Sequence, residues 1–171
     1  MSRRRTLATL LLAGLVSAGC ASTGAVPHPF PVPGGWSAPS SPASHPTPAD
    51  GYGIAGTALG LRGSPYRNGG SDPSGFDCSG FIWYVFAQHG VRVPRTVTEQ
   101  FRAGTPVDQN GLEAGDLVFF ATDRGGEASH VGMAIGGDEF VHAPSSHGEV
   151  RVERMGSGYW GARFVGARRI R

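Results

Sequence analysis

The spacing of apolar positions changes along the chain, from helical in the first half of the region after residue 50 to strand-like in the second half. Apolar positions and turn residues predict short helices at 54–61, 78–88 and 96–102. The middle helix ends at Gly90 and carries an apolar stripe made of Phe81, Ile82, Val85 and Phe86. We therefore expect this helix to be buried in the core.

Strand-like segments follow Pro106. Short apolar runs separated by turn residues predict five strands, at 116–121, 130–135, 139–142, 149–153 and 164–170. Helices first and strands afterwards, with short connections, are typical of an α+β domain with an antiparallel sheet. We expect residues 51–171 to form one such domain of ordinary size.

The N-terminus has the layout of an export signal. Three arginines at 3–5 precede an apolar run at 7–16, and small residues at 17–19 lead into Cys20. The apolar run is too short to span a bilayer stably. Small residues before a cysteine resemble a bacterial lipoprotein signal, although serine stands where leucine is usual three positions before the cysteine. We expect a signal peptide at 1–19 and a lipid on Cys20; cleavage by the ordinary signal peptidase is the alternative.

The segment after the signal is poor in charge and rich in proline, serine, alanine and glycine. Such a composition cannot bury enough apolar surface to fold, so residues 20–50 are predicted to be a disordered tether. No aspartate follows Cys20. By analogy with Gram-negative lipoproteins, this favours an outer-membrane anchor, with the protein facing the periplasm.

The charge balance argues against a nucleic-acid partner. The chain has 15 basic residues and 13 acidic ones, and all the basic residues are arginine. Removal of the predicted signal takes away three arginines and leaves the rest nearly neutral. A nucleic-acid-binding domain would show a basic stripe and a high positive charge.

Cys78 is the first candidate for chemistry. The chain has two cysteines, and lipidation of Cys20 would leave Cys78 as a free thiol in an oxidising compartment. Cys78 lies at the predicted start of a helix, where Asp77 can cap the helix and free N–H groups favour negative charge. These features indicate a reactive thiolate. The alternative is a small buried apolar residue.

Two histidines are placed to act with this thiol. A cysteine peptidase needs a base beside the thiol and a third group that orients the base. If a three-residue loop at 136–138 joins two strands, Ile135 lies opposite Glu139, and His130 and His142 share one face as diagonal neighbours. A two-residue loop would place them on opposite faces.

The same register predicts what else the two faces carry. Gly132 and Ala134 share the face of the histidines, and both are small enough to let a helix end and a substrate approach. The other face should be core, formed by Val131, Met133, Ile135 and Val141. The remaining histidines lie in the tether, at a helix end or in loops, and no function is predicted for them.

Seven segments together resemble one known family: GSPYRNGG (63–70), FDCSGF (76–81), PRT (94–96), GDLVFF (115–120), HVGMAI (130–135), FVHA (140–143) and FVGARR (164–169). In this order and spacing they are similar to the NlpC family of papain-like cell-wall cysteine peptidases, of the lipoprotein murein endopeptidase type. The resemblance covers the chain from about residue 54 onward. It implies a papain-like α+β fold, with N-terminal helices packed on a five- or six-stranded antiparallel sheet.

The resemblance also implies roles for individual residues. Cys78 would be the nucleophile, His130 the general base and acid, and His142 the residue that orients His130. Tyr66 would assist the oxyanion hole, with a core aromatic as its alternative, and Asp77 and Ser79 would help to recognise the amino end of a stem peptide. Asn68 departs from the tryptophan often found there, which affects the expected substrate preference.

The implied activity is hydrolysis of stem-peptide or crosslink amide bonds in peptidoglycan, without a metal or other cofactor. Partners would be peptidoglycan stem peptides and the membrane that holds the lipid at Cys20, and we expect a monomer. The competing hypotheses are an amidase or acyltransferase on the same scaffold, and a non-catalytic wall-binding lipoprotein. Loss of a catalytic position would mark the latter, and none of the three is lost.

Overall fold

The computed structural model describes residues 50–171. The predicted signal peptide, Cys20 and nearly all of the predicted tether therefore lie outside the described residues. Within residues 50–171, no helix is long and apolar enough to cross a membrane.

Residues 50–171 form four α-helices, and the first three lie where the apolar pattern predicted them. They are α1 (Gly51–Gly60), α2 (Cys78–Gln88), α3 (Val97–Arg102) and α4 (Gly158–Gly161). Side chains cap the first three: Asp50 accepts from Tyr52 N–H, Asp77 from Gly80 N–H, and Thr96 from Glu99 N–H. These caps satisfy N–H groups that have no partner inside a helix and so define where each helix begins.

A short hairpin precedes α2, and a six-stranded sheet forms the second half of the domain. The hairpin pairs β1 (Ser71–Asp72) with β2 (Gly75–Phe76). The sheet consists of β3 (Thr105–Val107), β4 (Leu117–Phe120), β5 (His130–Gly136), β6 (Glu139–His142), β7 (Arg151–Arg154) and β8 (Phe164–Arg169). All neighbours are antiparallel, in the order β3-β8-β4-β5-β6-β7. The predicted α+β architecture with an antiparallel sheet is confirmed.

Several short elements were not predicted from the sequence. They are the β1–β2 hairpin, β3, a 3-10 turn at Gln109–Gly111, and α4. Strand β3 has three residues, one of them a proline, and becomes a strand only because it pairs with the distant β8. Such pairing depends on tertiary contacts that local periodicity does not carry.

The sheet packs apolar residues on both faces. One face is covered by α1 and α2, and the core there includes Phe81, Ile82, Val131, Met133 and Val141. The opposite face carries a second cluster made of Val118, Phe120, Ala134, Phe140, Met155, Trp160 and Ala167. Since both clusters and the whole sheet lie within residues 50–171, we expect this segment to fold on its own.

The β5–β6 hairpin differs from its predicted register at one end. Met133 pairs with Val141 and Ala134 with Phe140, as predicted, but Glu139 pairs with Gly136 and not with Ile135. Ile135 is the extra residue on β5 and forms a β-bulge. Gly136 and Gly137 follow the bulge with φ of 113° and 61°, which glycine adopts readily. The pair formed by Gly136 and Glu139 encloses a loop of only two residues, which without a bulge would place the two histidines on opposite faces. The bulge restores the predicted register beyond it, so both histidines lie on one face.

The face that carries the histidines is also used differently from the prediction. It is not open to a helix end, because α2 packs against the other face, on Val131 and Met133. A Cβ on Gly132 would lie 2.5 Å from the ring of Phe140, so the absence of a side chain at this position makes room for that ring. The prediction that Gly132 and Ala134 admit a helix end was therefore wrong, because an aromatic cluster fills the space.

Candidate active site

Cys78 begins helix α2 and is partly exposed. Burial raises the pKa of its thiol. The backbone N–H groups of Val131, Ser79 and Cys78 itself face the sulfur and lower the pKa, but their effect is smaller than that of burial. The thiol is therefore protonated at neutral pH in the free protein. A nearby base has to take its proton before the sulfur can act as a nucleophile.

An arginine holds the start of helix α2 in place. The carboxylate of Asp77 accepts two hydrogen bonds from Arg95, at 2.9 and 2.7 Å, and a third from Gly80 N–H at 2.6 Å. Arg95 also donates to Ser79 Oγ at 3.0 Å and to the carbonyl of Gly70 at 3.1 Å. Although burial opposes it, these bonds lower the pKa of Asp77, so its carboxylate is charged at neutral pH. We call this set of contacts the Arg95 clamp.

Gln100 supports the same helix start from α3. Its side chain is fully buried, and its amide nitrogen donates to the carbonyls of Ser79 and Pro94, at 3.0 and 2.7 Å. The peptide that precedes Arg95 is thereby tied to the peptide that follows Ser79, in the first turn of α2. This connection limits the movement of the sulfur relative to the rest of the domain.

His130 and His142 form a buried pair on adjacent strands. His130 Nε2 and His142 Nδ1 are joined by a hydrogen bond of 2.8 Å, and the two rings are nearly perpendicular, at 87°. His130 is 8% exposed and His142 is fully buried. The bond occupies one ring nitrogen of His130 and leaves Nδ1 as the nitrogen that can exchange a proton with another group.

Trp160 of α4 covers the histidine pair. Its ring stacks on His130 with 5.3 Å between centroids and 28° between planes, and it meets His142 edge-on at 4.9 Å. Trp160 Nε1 donates to the carboxylate of Glu153 on β7. The indole therefore shields the hydrogen bond between the histidines from water, and Glu153 holds the indole in position.

Burial keeps both histidines neutral. Burial lowers the pKa of His130 to about 4. The pKa of His142 falls to about 2, mainly through burial, with smaller contributions from the nearby His130, Arg151 and His147. A neutral imidazole with a free nitrogen can accept a proton at neutral pH, as a general base must.

This burial predicts a dependence of stability on pH. The unfolded chain binds protons on these histidines near pH 6.5, whereas His130 stays neutral in the fold until about pH 4. Stability is therefore fully present above pH 6.5 and is lost as the pH falls toward 4, by about 3 kcal/mol for His130 alone. Urea unfolding of residues 50–171 at pH 7, 5.5 and 4.5 measures this loss.

A matched control isolates the histidines from other groups that titrate. The double variant His130→Gln and His142→Gln should lose much less stability between pH 7 and 4.5 than the parent protein. Equal pH dependence in the two proteins would contradict the assignment of the effect to the buried pair.

Tyr66 lies beside the helix start. The residue is partly buried against the main core, and the pKa of its hydroxyl is raised by burial and then by the proximity of Cys78 and Asp77. Its backbone N–H donates to the carbonyl of Gly148 at 2.7 Å, which fixes the segment that carries it. A protonated phenol near Cys78 is able to donate a hydrogen bond to an oxyanion.

The predicted residues thus fall into two groups that meet at the beginning of β5. Asp77, Cys78 and Ser79 lie at the start of α2 with Tyr66 near them, and His130 and His142 lie on the sheet. No hydrogen bond joins Cys78 to the His130 ring; the contact between the groups runs through the N–H of Val131, the next residue in the chain. A cavity of about 190 Å³ opens at His130, between Thr122, the 144–146 loop and Trp160.

Four residues of this region were not identified from the sequence: Arg95, Gln100, Glu153 and Trp160. Arg95 lies in the quoted motif PRT, and a buried acid at a helix cap could have suggested a basic partner for Asp77. Glu153 and Trp160 had no local signal, because their role depends on strand register and on α4. Within residues 50–171, no group of three His, Cys, Asp or Glu residues is arranged to hold a metal ion.

Comparison with known proteins gives the family. Murein DD-endopeptidase MepH of Escherichia coli is 41% identical over 112 residues, which cover 63% of this chain and 41% of that protein. Gamma-DL-glutamyl hydrolase of Bacillus subtilis is 38% identical over 120 residues, or 68% of this chain and 29% of that protein. This chain thus spans less than half the length of these relatives.

A solved structure shows the same fold. The crystal structure of an NlpC/P60 family protein from Bacillus cereus superposes with a TM-score of 0.67 at 34% identity, covering 72% of this chain and 41% of that one. The predicted papain-like fold is confirmed by this similarity. The model of the NlpC/P60 family matches residues 63–169, which contain both residue groups of the site. The chain belongs to the NlpC/P60 family.

Proposed function

We propose that this protein is a cysteine peptidase that hydrolyses peptide bonds in peptidoglycan. The observation that carries the proposal is the buried His130–His142 hydrogen bond of 2.8 Å, in a protein whose single thiol among residues 50–171, Cys78, is faced by the N–H of Val131, the residue next to His130. The name of one relative, a murein DD-endopeptidase, supports the same class of substrate.

The first step is acylation of Cys78. The proton of the thiol moves to Nδ1 of His130 as the sulfur attacks the carbonyl carbon of the scissile bond. The carbonyl oxygen becomes an oxyanion, which the N–H of Cys78 and the hydroxyl of Tyr66 stabilise. His142 accepts a hydrogen bond from the other nitrogen of His130 and stabilises the imidazolium that has formed.

The remaining steps return the enzyme to its starting state. Collapse of the tetrahedral intermediate breaks the C–N bond, and His130 gives its proton to the leaving amine. The amine departs and a thioester remains on Cys78. Water then attacks the thioester while His130 takes its proton, and the carboxylic acid product leaves as the thiol is restored.

The Arg95 clamp contributes position and not chemistry. Because Asp77 and Ser79 both bond to Arg95, their side chains hold the start of α2 and so fix the Cys78 sulfur. Recognition of an amino group by these two residues stays a prediction. Such recognition would use the lone pairs of the Asp77 carboxylate that are not engaged in hydrogen bonds with Arg95.

Digestion of purified peptidoglycan tests the proposal. Residues 50–171 are incubated with walls of several crosslink types, and released fragments are identified by mass spectrometry, whose masses name the bond cut. Because Cys78 is the only cysteine of this segment, the same protein alkylated with iodoacetamide is a matched control. Equal release by both samples would contradict thiol catalysis, and no release by either would favour an amidase, an acyltransferase or a wall-binding role.

We also propose, from residues 1–20, that the protein is exported and anchored by a lipid on Cys20. A Cys20→Ser variant should then lose incorporation of a labelled fatty acid and move from the membrane fraction to the soluble fraction. Unchanged labelling in that variant would exclude Cys20 as the modified residue.

A further inference from the structure

Glu153 lies on β7, the strand next to the one that carries His142 and two strands from the one that carries His130. In the β6–β7 register, Arg151 lies directly opposite His142 and Glu153 opposite Phe140, so Glu153 is a diagonal neighbour of His142 on the same face. Glu153 Oε1 is 3.8 Å from His142 Nε2. Its other oxygen accepts the hydrogen bond from Trp160.

His142 Nε2 is a buried polar atom with no hydrogen-bond partner among residues 50–171. The other charged or titratable groups near it are His130 on β5, Arg151 on β7 and His147 in the preceding loop. Arg151 and His147 also face Glu153, at 3.2 and 4.0 Å from Oε1. Glu153 is therefore the one anion in this group, and it faces a ring nitrogen that carries either a proton or a lone pair.

The hydrogen bond between the histidines allows two arrangements of protons. In the first, His130 donates from Nε2, His142 carries its proton on Nε2, and His130 Nδ1 keeps a lone pair. In the second, His142 donates from Nδ1, its Nε2 carries a lone pair, and the proton of His130 sits on Nδ1. Only the first leaves His130 able to take a proton from Cys78.

We propose that Glu153 is a positioning residue that selects the first arrangement. Its carboxylate attracts a proton on His142 Nε2 and repels a lone pair there, so the charge on β7 determines which nitrogen of His130 is free. The expected effect of Glu153 on the reaction rate rests on the proposed function. Its effect on which ring nitrogens of His130 and His142 carry protons does not.

The Glu153→Gln variant separates charge from shape. Trp160 Nε1 needs an acceptor, so the carbonyl of the new amide turns toward the indole and its NH₂ group toward His142 Nε2. The NH₂ group favours a lone pair on that nitrogen, which is the second arrangement. We expect kcat on peptidoglycan fragments to fall at least about tenfold with KM within about twofold of the parent value.

The control is Glu139→Gln, which removes the same charge from an exposed position on β6. This variant should keep kcat within about twofold of the parent value. If Glu139→Gln and Glu153→Gln lower kcat equally, the effect is one of overall charge and the proposal fails.

The second readout needs no activity. The full chain, labelled with ¹⁵N at its six histidines, reports by NMR which ring nitrogen of each carries the proton. The parent protein should show His130 and His142 both protonated on Nε2, and Glu153→Gln should move both protons to Nδ1. A parent spectrum with His142 protonated on Nδ1 would overturn the proposal, even if the variant did not fold. If the parent shows the expected tautomers but no hydrolysis, the proposed function fails and this inference stands.

Discussion

A Cys78→Ala variant of residues 50–171 is expected to release peptidoglycan fragments about a thousandfold more slowly than the parent protein, and His130→Gln to match it. The first removes the nucleophile. The second keeps an amide that can donate to His142 Nδ1 in place of the 2.8 Å bond, but it has no lone pair that takes the proton of the thiol. Fragment release followed over time by chromatography measures both rates.

The double variant is the sharper part of this prediction. Groups that act as a unit are not additive, so Cys78→Ala combined with His130→Gln should be no slower than either single variant. Multiplied losses would show that the two residues act in separate steps. A His130→Gln variant with more than about a tenth of the parent rate would exclude His130 as the base.

A Gly80→Ala variant is expected to be destabilised by about 3 kcal/mol or more, which urea unfolding measures. A Cβ on Gly80 would lie 2.0 Å from the carbonyl oxygen of Gly70 and 2.9 Å from Nη2 of Arg95. That carbonyl accepts hydrogen bonds from Asp77 N–H and Arg95, so it cannot move without loosening the Arg95 clamp. Alanine favours a helix by about 1 kcal/mol over glycine, which is too little to offset the clash.

Gly56→Ala is the matched control for this steric argument. Gly56 lies inside α1 and is exposed, and a Cβ added to it would meet no atom of residues 50–171 within 4 Å outside its own helix turn. The same substitution there should stabilise the protein by about 0.5–1 kcal/mol, because only the helix preference operates. If Gly80→Ala were also stabilising, the approach of α2 to the carbonyl of Gly70 would not be as close as described.

The sequence was sufficient for the elements that have a strong local pattern. Helix α2 was predicted with its observed bounds, because its apolar stripe and the cap at Asp77 both indicate a helix. The pairing of His130 with His142 followed from strand alternation, although the loop that produces it was misjudged. A bulge of one residue at Ile135 cannot be read from periodicity, since both loop lengths fit the same glycines.

The parts of the site that depend on distant segments were not predictable. Trp160 reaches the histidines only because α4 is placed over the second face of the sheet, and Glu153 only through the β6–β7 register. The histidine face was expected to receive a helix end, whereas the ring of Phe140 fills it. These contacts arise from packing between segments that are distant in the chain, and the local sequence of each segment does not indicate them.

The two outer strands of the sheet have a consequence for how copies of this protein behave in a crowded setting. Strand β3 is only three residues long and contains Pro106, which lacks a backbone donor, and β7 carries Arg151, Glu153 and Arg154. Short edges, proline and charge all oppose the addition of a strand from a neighbouring molecule. Neither edge is a good template for amyloid-like growth, and we expect the folded domain to stay dispersed even where many copies are held close together.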